Sequence, residues 1–115
     1  MPIRDWKIRI KDILICIDKV SRYIEGMNED DFLADNRTID AVLRNIEIVG
    51  EAARHIPEEI QNRYPELPLL EMRGMRNVVA HEYFGISLSI IWKTAVNDLP
   101  QLKPVLEEIL IKEDK

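Results

Sequence analysis

Apolar residues recur at three- and four-residue steps along almost the whole chain. Ile10, Ile13, Leu14, Ile17, Val20 and Ile24 form one such stripe, the pattern of a helix that buries a single face. Asp5 can accept from the free N–H groups at its start and Gly26 marks its stop, so a first helix is predicted over about 5–26. A short helical turn is expected after Asn28. Ile39, Leu43, Ile46, Val49 (or Gly50), Ala53 and Ile56 predict a second long helix over about 36–56. Pro57 suits the first turn of a short helix over about 57–63. Tyr64-Pro65-Glu66-Leu67-Pro68 reads as a linker too short to separate domains. A third main helix is predicted over about 69–82, with Gly85 ending that region. Ser87 or Ser89 can cap a fourth, with Leu88, Ile91, Trp92, Ala95 and Leu99 turned inward. Pro100 and Pro104 are expected to break or restart it, and the last helix to reach about Ile111. The tail Lys112-Glu113-Asp114-Lys115 is expected to fray. No period-two run is long enough for a strand. The expected fold is all-α: an up-and-down bundle of four main helices plus short extra helices, one domain over 1–115.

Gly50 interrupts the second helix at a cost of about 1 kcal/mol against alanine. The favoured reason is close approach of another helix; the alternative is room for a ligand or a partner chain. Composition narrows the function classes. With 115 residues, 46% hydrophobic and 32% charged, the chain is globular. No apolar run is long enough to span a membrane, and the N-terminus lacks a signal-peptide stretch. The single Cys16 excludes an internal disulfide or a cysteine zinc cage and reads as a small buried hydrophobe, which points to a reducing cytoplasm. Net charge is −5, against a surface that coats nucleic acid generally. Residues 28–35 are strongly acidic, whereas the first 27 are weakly basic. An RNA-binding role therefore needs a local basic site.

The chemistry concentrates in Glu71-Met72-Arg73-Gly74-Met75-Arg76-Asn77-Val78-Val79-Ala80-His81-Glu82-Tyr83-Phe84-Gly85. Arg73, Asn77 and His81 step by four and share a helix face. Arg76 and His81 are five apart, roughly 140° around an ideal helix. The two can converge if the helix ends near His81, or if two copies face each other across a symmetry axis. Histidine can take or give a proton at neutral pH, and arginine offers a fixed charge with a fork suited to phosphate. Asn77 can fix an imidazole tautomer or contact phosphate. RNA supplies its own 2′-hydroxyl nucleophile, so a base, an acid and a cation suffice, and no metal or cofactor is required. His55 and His81 are the only histidines and no His-Glu-x-x-His occurs, so no metal site is expected. A histidine near a helix end is also commonly a cap or a satisfied polar group, and His55 is read that way.

Arg76, four residues, His81, Glu82, Tyr83 closely resembles the Arg-x4-His-x-Tyr signature of the HepT-like proteins of the HEPN superfamily. Ile48-Val49-Gly50-Glu51-Ala52-Ala53 resembles the family's second-helix block, and Ile90-Ile91-Trp92 and Asp98-Leu99-Pro100 its downstream segments. The resemblance implies a small helical homodimer, many of whose relatives are RNA-cleaving toxins. It implies that Arg76 and His81 are catalytic, with Asn77 beside them. It further implies a minimal nucleotidyltransferase antitoxin that neutralises the toxin by transferring AMP from ATP to Tyr83. Glu51 reads either as a solvated side chain or, by its place in that block, as a support that pairs with Arg76 or Arg73. Arg37, Arg44 and Arg73 are possible contacts to RNA backbone or plain surface charge. Trp6, Trp92 and Phe84 are expected in the core or at a dimer contact. Two rivals stay open: a non-catalytic helical dimer that binds nucleotide or serves a nucleotidyltransferase as subunit or substrate, and a purely structural dimer.

Overall fold

The computed structural model describes residues 5–82 and 87–114; the side chains of 78–82 fall outside that description. Helix α1 runs Trp6–Tyr23, and the Asp5 carboxylate accepts from the Lys7 N–H at its start. Its stripe is the expected one: Ile10, Ile13, Ile17 and Val20 are buried, with Leu14 and Ile24 packed beside them. The helix stops short of residue 26. Met27 N–H bonds to the Ile24 carbonyl, and Gly26, at φ 79°, makes the turn that a side chain would strain. Asn28 then opens α2, Glu29–Leu33, with a reciprocal capping box to Asp31. Phe32 of α2 is fully buried and its ring lies 5.3 Å from that of Trp92.

Helix α3, Asn36–Ala53, carries the second stripe and is capped by Asp35. The Thr38 N–H donated to that carboxylate holds its pKa below the usual range. The helix ends three residues earlier than the apolar spacing predicts, although Ile56 is still buried in the turn that follows. Helix α4, Glu58–Arg63, follows Pro57, and α5 runs Leu69–Glu82. Helix α6, Leu88–Lys93, is capped by the Ser87 hydroxyl.

The prolines do not break the fourth main helix. A π-helical turn, Thr94–Asp98, joins α6 to α7, Leu99–Glu113. There Leu99 N–H bonds to the Thr94 carbonyl, five residues back. The widened turn leaves Pro100 in the first turn of α7, where its missing N–H costs little, and α7 continues past Pro104. Nor does all of the tail fray. Glu113 is gripped by Arg63 at 2.6 Å and by the Tyr64 hydroxyl, while the Lys7 ammonium donates to its carbonyl. These contacts tie α7 to α4 and α1. The four main rods α1, α3, α5 and α6–α7 pack as an all-α bundle around one contiguous core. Cys16 lies in that core as a free thiol, its pKa raised by burial.

Candidate active site

The site is built where α5 crosses α3. A Cβ placed on Gly50 would lie 2.6 Å from the Arg76 backbone nitrogen and 3.0 Å from its Cβ. The absent side chain is what lets the two backbones meet, and it fixes the root of Arg76 directly on α3. From that root the guanidinium reaches the surface, 48% exposed. Its Nε stands 3.5 Å from Glu51 Oε2, and the other oxygen of Glu51 stands 3.5 Å from Arg54. Gly50 and Glu51, adjacent in sequence, thus seat and orient the same arginine.

Glu51 pairs with Arg76 and not with Arg73. Arg73 instead donates to the Ala53 and Ile56 carbonyls at 3.3 and 2.8 Å and pairs with Glu58 at 2.6 Å. The first of these carbonyls closes α3 and the second lies in the turn after it, so Arg73 works as a staple between α5, that turn and α4. Asn77 is exposed and lines a shallow cleft with Arg54, Leu70, Gly74 and Arg76. On the other side of Arg76, a groove of about 250 Å³ is lined by Arg9 and Asp12 of α1 and by Arg44, Glu47 and Glu51 of α3. Arg44 is held by Glu47 at 2.9 Å, and Arg37 and His55 are exposed. Helix α5 is unbroken through the His81 position, four residues after Asn77. The His81 side chain, Tyr83 and Phe84 lie outside the described residues.

Sequence reasoning passed over two arginines. Arg54 was visible in principle, three residues after Glu51 on one helix. Arg9 carried no local signal, because only the packing of α1 against α3 brings it to the groove. Among the described residues, no helix is long and apolar enough to cross a membrane.

The sequence model of the ribonuclease HepT-like family matches residues 13–109. A Thermococcus cleftensis protein named "Probable ribonuclease HepT" is 37% identical over 106 residues, covering 92% of this chain and 96% of that protein. A Methanocaldococcus jannaschii protein named "Putative RNase MJ0125" is 36% identical over 110 residues, covering 96% and 95%. No solved structure gives a significant match. The family match spans most of the chain, and the relatives align nearly end to end. The chain therefore belongs to the ribonuclease HepT-like family.

Proposed function

We propose that this protein is a metal-independent endoribonuclease toxin that acts as a homodimer and is silenced by transfer of AMP to Tyr83 from a minimal nucleotidyltransferase antitoxin. The observation that carries the reading is the seating of Arg76. Its backbone is locked on Gly50, its charge is oriented by Glu51, and its guanidinium opens onto two clefts. That is how a phosphate-binding cation is prearranged.

In the proposed reaction His81 removes the proton of a ribose 2′-hydroxyl, and the 2′-oxygen attacks the adjacent phosphorus. The bond to the 5′-oxygen breaks, and that oxygen takes a proton from the partner subunit's His81. The arginines stabilise the charge that builds on the phosphoryl oxygens. The products are a 2′,3′-cyclic phosphate and a 5′-hydroxyl. The continuous α5 supports a two-chain site, because an ideal helix sets positions 76 and 81 roughly 140° apart. A bare face of α5 supports it too. Leu70 is 77% exposed, and a Cβ on Gly74 would meet nothing within 4 Å, so a second helix has room to approach there. AMP on Tyr83, two residues from His81, would set a phosphate in competition with RNA for Arg76.

The test is cleavage of RNA by the purified chain with end analysis. Arg76→Ala and His81→Ala are each expected to lower the rate by roughly 10²–10⁴-fold. Wild-type rates in either variant, or 3′-hydroxyl ends, contradict the assignment. Intact mass after co-expression with a neighbouring nucleotidyltransferase tests the switch, with gain of AMP on Tyr83 expected and no gain contradicting it. The net charge of −5 favours one rival, a non-catalytic dimer that binds nucleotide. That rival predicts no growth arrest on expression, whereas the ribonuclease predicts an arrest that His81→Ala abolishes.

A further inference from the structure

Three guanidinium groups enter the groove beside Glu51: Arg9 from α1, Arg44 from α3 and Arg76 from α5. Arg44 is occupied by Glu47 and Arg76 touches Glu51. Arg9 differs, since its Nε is buried and has no hydrogen-bond partner. A guanidinium cannot lose its proton at any ordinary pH, so this donor is permanently desolvated without an acceptor. The free protein leaves that donor unmatched, and because Arg9 also lines the groove, its fixed charge can pair with an acceptor oxygen that a ligand brings there. That ligand must be anionic and must lie next to Arg76. It must also tolerate Asp12, Glu47 and Glu51, which balance the three arginines in number. A compact, multiply charged anion fits such a groove poorly. A phosphodiester, with one charge and two free oxygens, fits it well.

We infer that Arg9 forms a subsite for the phosphodiester that flanks the scissile one, so that the enzyme recognises a polynucleotide strand and not a single linkage. This deepens the ribonuclease reading and rests on it. Arg76 holds the reacting phosphate, and the strand runs from it along the groove to Arg9. Nothing in the local sequence of α1 announces this role. It arises because α1 and α5 both pack on α3.

The experiment compares two substrates with the full chain: a dinucleoside monophosphate, which has only the scissile phosphate, and an oligoribonucleotide with flanking phosphates. Wild type is expected to prefer the longer substrate in kcat/KM. Arg9→Gln is expected to shrink that preference by at least about fivefold, while Arg9→Lys keeps most of it, and the slope of log KM against log salt should fall by about 0.7 in Arg9→Gln. A preference that Arg9→Gln leaves at the wild-type ratio overturns the subsite. The substrate side provides a second measurement that does not depend on the variant's folding. Neutral methylphosphonate linkages beside the cut should cost wild type about fivefold on one side, and no cost on either side overturns the proposal. If wild type cleaves no RNA, the ribonuclease reading falls and the subsite with it. If wild type cleaves both substrates equally well, only the subsite falls.

Discussion

Gly50 and Arg76 are the residues on which the site turns, and their contact makes a sharp prediction. In Gly50→Ala the new methyl lies 2.6 Å from backbone, not from the end of a flexible side chain, so α5 must move. A cost of about 1–3 kcal/mol and a melting midpoint lower by roughly 5–15 °C are expected in calorimetry. Cleavage should fall further than stability, because the root of Arg76 moves with the helix. Glu51→Gln should do the reverse. Its ion pairs are half exposed, so the midpoint should stay within about 3 °C. The rate should drop roughly three- to thirtyfold as Arg76 loses its guide. Gly50 was legible because a glycine inside a strong helical stripe needs a packing reason, whereas the pairing of Glu51 was suggested by the resemblance of its block to the family's second helix. The partner of Arg73 was not legible. Whether an arginine meets a carboxylate or the end of a neighbouring helix depends on where that helix stops, and apolar spacing did not place that end.

Among the elements, the fourth rod separates what periodicity reports from what it hides. Its stripe from Leu88 to Leu99 faces inward as the spacing predicts; of the expected break or restart at the prolines, Pro100 sits at the start of α7 and Pro104 breaks nothing. A π turn is a register shift, and no count of apolar positions registers it. Thr94, whose hydroxyl donates to the Ile90 carbonyl at 2.9 Å, sits at its start. Pro104 is exposed within α7, so replacing it loses no packing. Pro104→Ala should therefore raise stability by about 1–3 kcal/mol in denaturant titration, and a loss of stability would mean that the proline shapes the rod. The end of α7 yields a pH prediction. Hydrogen bonds from Arg63 and Tyr64 lower the Glu113 pKa. Folding is therefore favoured by this carboxylate above its unfolded pKa of about 4.3, and the gain is lost as pH falls through the lower folded value. Glu113→Gln should be less stable than wild type near neutrality and should converge on it as pH falls through the lowered folded value, read by urea midpoints from neutral to acid pH.

At the scale of the molecule, the bundle was legible because four amphipathic stripes joined by short connections leave few ways to bury them. The bare face of α5 was not, since a stripe reports what a helix buries in its own chain. Leu70, bare at 77%, and the open Gly74 mark α5 as a helix with one side unmet. The central claim is that two chains share one reaction centre and that both His81 imidazoles are needed there. Wild-type and His81→Ala chains, unfolded together and refolded at fixed total concentration, measure this directly. If the centre is shared, activity follows the square of the wild-type fraction, so an equal mixture retains about one quarter of the wild-type rate. A linear decline, with about half the rate retained in that mixture, would show that each chain cuts alone and would contradict the account.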